Sequence, residues 1–247
     1  MQISWPVSSG YRCRLSSGIA LLPALPLLAM LGLTAGCQDP PPVSVEGPDL
    51  LPRCELPYDQ RAINAVSTGA ITVMPDPGSP ETSMAQVDAT AGGSANYSKN
   101  PFVYLDLIGG KKVEITDVQA VQSGDWDIAF KRWQIKLNGG DSGPGGVGTA
   151  RIDGKTLPEV TTAPAGPYVQ DSYFDGKCVV ALDDIMGLKT VLSDWYEYDG
   201  VTMQLTPKKQ VIVLPRRDKK GHIKVALTGY YKGMAGGNYS LSWSFLP

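Results

Sequence analysis

The sequence predicts a mostly β fold, a single antiparallel β-rich domain with one short helix. Three observations carry this. The closing run NYSLSWSFLP alternates apolar and polar residues, placing Tyr239, Leu241, Trp243 and Phe245 on one face and Ser240, Ser242 and Ser244 on the other. Two β-rich runs in QVIVLPRRDKKGHIKVAL flank the polar turn Arg216 to Gly221, as in a hairpin. The chain of 247 residues also holds 28 Gly and 20 Pro, a density that favours turns over long helices.

In chain order, residues 1–36 read as a signal peptide. Arg12 and Arg14 precede an apolar stretch from Ile19 to Leu33, and Thr34-Ala35-Gly36 forms a small-residue cleavage site. Pro23 and Pro26 oppose a stable membrane-spanning helix there. The ending resembles a bacterial lipoprotein box, with Leu33 one position early and Cys37 as the lipidated first residue of the mature chain. Gln38 after that cysteine, rather than Asp, implies the outer membrane, by resemblance to Gram-negative sorting rules. Residues 37–60 are proline-dense and read as a lipid-anchored tether. Residues 61–247 then form the domain.

Within the domain, Met74 to Ser98 is turn-rich and reads as a long loop. GGKKVEITDV gives a short strand after a glycine turn. In DWDIAFKRWQIKLNGG the apolar parity changes. Trp126, Ile128 and Phe130 are even, whereas Trp133, Ile135 and Leu137 are odd. A bulge near Lys131-Arg132, or a strand end there, would keep both sets on one core. The expected helix lies where Ala181, Leu182, Ile185, Met186, Leu188, Val191 and Leu192 fall at helical spacing, interrupted by Gly187.

Charge and motifs narrow the function. The net charge of −2 becomes −4 once Arg12 and Arg14 leave with the leader, since no acidic residue goes with them. Neither value suggests nucleic acid. Gly140-Asp141-Ser142-Gly143-Pro144 is close to the run around the nucleophile of chymotrypsin-like proteases. A serine needs a base, however, and the single histidine, His222, lies after it rather than before. His222 itself reads as an exposed turn residue. The pairs Asp125/Asp127 and Asp183/Asp184 read as solvated surface or turn carboxylates. Metal and phosphate-loop motifs are absent from the sequence. The expectation is a non-enzymatic protein.

Methionine is the remaining ligand chemistry, since a thioether is a soft donor that can hold haem iron. Met186 lies on the apolar helical stripe and Met203 alternates with Val201 and Leu205, so core packing is the default for both. Met234 sits in a loop.

The segment Asp125 to Ala150, DWDIAFKRWQIKLNGGDSGPGGVGTA, resembles the signature of the HmuY family of haem-binding lipoproteins. Its elements are Trp126-Asp127-Ile128-Ala129, Arg132, Asn138-Gly139-Gly140 and Ser142-Gly143. TTAPAGPY at Thr161 to Tyr168, DWYEYDG at Asp194 to Gly200 and the closing hairpin also match, so the resemblance runs from about Val87 to Pro247. It implies a hand-like β fold that grips haem or a related porphyrin and passes it to an outer-membrane haem receptor. It also implies two axial histidines, and here the chain departs. Asp171 to Ser193 has no histidine, and Asp199-Gly200 follows Trp195 to Tyr198. The expected axial pair is therefore Met186 and Met203, with Tyr196 or Tyr198 as the alternative. The rival reading is a module on the same fold that has lost haem and recognises protein or glycan.

Cys13 leaves with the leader and Cys37 carries lipid, so Cys54 and Cys178 remain in an oxidising compartment. They are expected to pair, pinning the end of the tether; two separate buried thiols are the alternative.

Overall fold

A computed structural model describes residues 54–57, 60–90, 99–184 and 187–247. The chain divides into Met1–Asp49, which lies outside the described residues, and Leu50–Pro247, which carries the fold. The signal peptide, Cys37 and most of the tether therefore lie outside the described residues.

Among the described residues, twelve strands form three antiparallel sheets. The first is six-stranded. It orders β1 (Ile71–Asp76), β2 (Ser79–Asp88), β12 (Ala235–Leu246), β11 (His222–Lys232), β10 (Gln210–Pro215) and β7 (Ala150–Asp153). The second orders β4 (Lys111–Val113), β3 (Val103–Asp106), β5 (Ile128–Lys131) and β6 (Gln134–Leu137). The third is the hairpin of β8 (Tyr196–Asp199) and β9 (Gln204–Pro207).

The main core joins apolar side chains of the two larger sheets. Val87, Ile212, Val225, Leu241 and Trp243 come from the six-stranded sheet, and Leu105, Ile128, Phe130 and Ile135 from the four-stranded one. The indole N–H of Trp243 donates to Leu107 O at 2.9 Å, so this large side chain is buried with its donor satisfied.

Parity resolves as a strand end. Lys131 pairs with Gln134, leaving Arg132 and Trp133 as a two-residue turn, with Arg132 at φ 50. Ile128 then faces Leu137 and Phe130 faces Ile135, so the even and odd sets share one core. Trp126 differs. It packs in a separate cluster with Tyr104, Ala120 and Ala129, and its Nε1 donates to Ala120 O.

The closing alternation holds through Trp243 and then fails. Phe245 is 45% exposed, while Leu246 is buried with Leu157, Val160, Val211 and Val213 on the other face. The 3₁₀ turn Leu157–Glu159 contributes to covering that face, so both faces of β12 carry apolar residues near its end.

Two further expectations are corrected. Met74–Asp76 and Ser79–Asp88 are not loop but arms of the β1–β2 hairpin, with Ala85 and Val87 supplying its inner face. Asp76 Oδ1 accepts from Gly78 N, which closes the Pro-Gly turn between them. The helix is also elsewhere. The described part of Ala181–Leu192 is not helical; Leu182 bridges Leu188, Asp183 N donates to Gly187 O, and Gly187 N returns to Asp183 Oδ1. A Cβ at Gly187 would lie 2.7 Å from Gln134 Nε2 and Asp183 Oδ2, so a larger residue would have to displace these side-chain ends. The single α-helix among the described residues is α1 (Asp117–Ala120). Thr116 and Gln119 form its capping box, in which Thr116 Oγ1 accepts Gln119 N and Gln119 Oε1 accepts Thr116 N.

Candidate functional site

Ser142 is held as a structural strut. It is 1% exposed, donates to Asp171 Oδ2 at 2.6 Å and is hydrogen-bonded to the Tyr173 hydroxyl. Asp171 also accepts Leu137 N and Val191 N. Burial holds its carboxyl above the usual range against these donors. Nearby, Lys136 Nζ donates to the Tyr104 hydroxyl, which in turn donates to Asp117, and burial pushes the Lys136 ammonium down to about 8. Ser142→Ala removes one donor to a buried carboxylate and a partner of a buried phenol. We expect a loss of about 1–2 kcal/mol in urea unfolding. An unchanged midpoint would remove Ser142 from this network.

His222 is not a turn residue but opens β11, opposite Pro215 and Leu246, and its ring stacks on Tyr168 with centroids 5.2 Å apart. Its Nδ1 is buried without a partner among the described residues. Asp127 is not solvated either. It is 1% exposed and meets Arg217 Nε at 2.6 Å.

The thioether and phenol groups gather at a hairpin tip. β8 and β9 pair from Tyr196–Pro207 out to Asp199–Gln204. Asp199 closes the connecting turn by accepting Val201 N at 2.8 Å and the Thr202 hydroxyl at 2.7 Å. These bonds hold its carboxyl below the usual range. The turn turns Val201 and Met203 outwards, at 92% and 70% exposure, so Met203 is not a core residue. Met203 has φ 59, an uncommon conformation for an unbranched side chain outside glycine. Tyr198, half-exposed, donates its hydroxyl to Met203 Sδ at 2.8 Å. The geometry thus brings together two of the four candidate axial groups. Tyr196 is set deeper, edge-on to buried Trp195, and burial, with Asp183 and Asp184 adding, raises its phenol. Met186 lies outside the described residues.

Beneath the tip the support is aromatic. Trp195 Nε1 donates to Trp133 O, and its ring packs on Tyr230 and Tyr239. The Tyr231 hydroxyl oxygen accepts Leu205 N at 2.9 Å, tying β9 to β11. Met234, in the turn between β11 and β12, is 94% exposed. The sequence offered no alternation that distinguishes these outward side chains from core ones. The Asp199-Gly200 turn was the local signal.

Cys54 and Cys178 are bonded, with Cα atoms 5.0 Å apart.

The scaffold is antiparallel β and presents Tyr198 and Met203 on a hairpin tip. The chain belongs to the HmuY family, described as HmuY protein, which matches residues 98–245. Solved structures of similar fold include the apo HmuY analog TFO of Tannerella forsythia, 19% identical with a TM-score of 0.48, covering 74% of this chain and 98% of that one. A protein of Bacteroides vulgatus described as HmuY-like and heme binding is 21% identical with a TM-score of 0.45, covering 73% and 97%. Apo PinO from Porphyromonas gingivitis is 16% identical with a TM-score of 0.44, covering 73% and 97%. Among curated proteins no match was found.

Proposed function

We propose that this protein binds haem or a related porphyrin without catalysing a reaction, and hands it to an outer-membrane receptor. In this reading Cys37 carries the lipid that holds it at the outer membrane. The observation that carries it is the exposed Met203 thioether with the Tyr198 hydroxyl on its sulfur, at the tip of a hairpin in a HmuY-family chain. The donor set fits the group. A thioether is a neutral, soft ligand, and a phenol beside it is a second, harder donor for iron. Met203 and Met186 would hold the haem iron, with Tyr198 or Tyr196 as alternative donors. Bound haem supplies the iron. The exposed Val201 beside Met203 offers apolar surface to a porphyrin edge.

The test is a haem titration of the full-length chain. We expect 1:1 saturation with a sharp Soret band, tighter in dithionite because a thioether favours ferrous iron. Affinity should hold constant between about pH 5 and 8, since thioether does not titrate where histidine does. Met203→Ala should weaken ferrous binding at least about tenfold, because loss of outer-shell support alone has that effect at metal sites. Met186→Ala and the double change complete the series. Survival of affinity and spectrum in the double variant overturns the Met pair. Weak broadening in the wild type favours the rival binding module on this fold.

A further inference from the structure

The four-stranded sheet carries two buried lysines on the face turned away from the main core. Phe130, Ile135 and Leu137 point into that core, so the alternate residues Lys131, Gln134 and Lys136 point the other way. Phe102 joins them there. Lys136 Nζ lies 4.3 Å from its ring centroid and Lys131 Nζ 5.5 Å. All four residues line one cavity of about 260 Å³. Cys54 and Leu56 line it as well, in a segment held at Cys54 by its bond to Cys178 and at Ile63 by Asp117.

The charge of Lys136 has no counter-ion. An ammonium carries three N–H donors. Lys136 Nζ uses one, to the Tyr104 hydroxyl at 2.9 Å, and no carboxylate among the described residues pairs with it. The acids around it are engaged elsewhere. Asp117 accepts Phe102 N, Ile63 N and the Tyr104 hydroxyl. Asp171 accepts Leu137 N, Val191 N and the Ser142 hydroxyl, and Asp141 accepts Tyr173 N. The rings of Phe102, Tyr104 and Trp126 lie within 5.4 Å of the ammonium. Such faces attract a cation but offset only part of its desolvation.

Burial lowers the Lys136 ammonium to about 8, which still leaves it mostly charged at pH 7. Lys131 adds a second positive charge beside the same ring, and its repulsion contributes to that lowering. Two donors and a buried positive charge call for an acceptor that is itself negative. Away from the lysines the walls are apolar at Leu56, Phe174 and Leu188, beside Phe102. The volume falls just below the range of roughly 300–1,000 Å³ usual for small-molecule sites, so the occupant is small.

We infer that this cavity binds a small carboxylate with an apolar body. Its carboxylate accepts from Lys136 Nζ beside Lys131, and its body lies against Phe102, Phe174 and Leu188. The cavity shares no residue with the Tyr198–Met203 hairpin, so the inference does not rest on haem.

The experiment is calorimetry of the full-length chain with benzoate, benzamide and inorganic phosphate. Benzoate should bind 1:1. Benzamide, which lacks the charge, and phosphate, which lacks the apolar body, should each bind at least about tenfold more weakly. Lys136→Met keeps an unbranched side chain and removes the charge, and it should weaken benzoate about tenfold or more. A cooperative thermal melt shows whether that variant folds. Lys131→Met, expected to weaken benzoate in the same direction, decides the matter where it does not. Absence of benzoate binding, equal affinity for benzamide or phosphate, or full affinity in the folded variant each overturns the site.

Discussion

Arg217→Met is expected to lower unfolding stability by about 3 kcal/mol at pH 7, read from urea denaturation. Arg217 reaches from the β10–β11 turn to the four-stranded sheet. Its Nε donates to Asp127 at 2.6 Å, a second nitrogen donates to Asp106 at 2.6 Å, and a third to Gly124 O. Asp127 is 1% exposed and also accepts Leu107 N at 2.7 Å. Removing the cation leaves a buried carboxylate with one backbone donor, and that uncompensated charge is the main cost. Lysine cannot replace the fork, so Arg217→Lys should recover only part of the loss. Asp127→Asn added to Arg217→Met should recover more, because the stranded charge goes with it. The pH dependence follows in sign. Burial already holds the Asp127 carboxyl above its ordinary value, with Arg217 opposing. Without Arg217 it rises further. A carboxyl raised in the folded state contributes stability that is present below its unfolded value and lost as pH rises through the folded one. The variant should therefore lose more at pH 8 than at pH 5. A loss equal at both values, or no loss, would show that the pair acts as an exposed contact.

The second large effect is on the thiols. Cys54 and Cys178 are 124 residues apart in sequence, and every strand from β1 to β7 lies inside the loop they close. On the chain-entropy model such a link contributes roughly 4–5 kcal/mol. Cys54→Ser with Cys178→Ser should then lower the melting temperature by about 10 °C or more. Reductant should lower the wild-type melt similarly and leave the variant alone. Two free thiols in the unreduced, denatured mature chain would overturn the pairing.

Local pattern carried the parts of the fold that are local. Tyr239, Leu241 and Trp243 were legible because β12 presents one face to one core. Phe245 was not, because the turn at Leu157 draws Leu246 to the opposite face, a contact set by residues far away in sequence. Apolar spacing from Ala181 to Leu192 suits a helix equally well as two short bridged arms. Asp183 and Gly187 decide for the arms, through bonds that spacing does not encode. The true helix has four residues, too few for periodicity, although the Thr116-x-x-Gln119 capping box was present to be read. At the candidate site, the sequence singled out Met203 and Tyr198, but their contact depends on a left-handed residue in the turn. The Asp127–Arg217 pair, 90 residues apart, left no sequence signal at all.

The strand order also dictates a schedule of synthesis. β12 sits between β2 and β11 in the six-stranded sheet, yet it is made after all the other described strands. The β1–β2 hairpin can close early, but β2 then waits with an unpaired edge while almost the whole domain follows it. Folding cannot proceed in order of emergence. A nascent chain halted before Ala235 has both flanks of its largest sheet and no centre, so the edge of β2 stays open to wrong pairing until β12 is made.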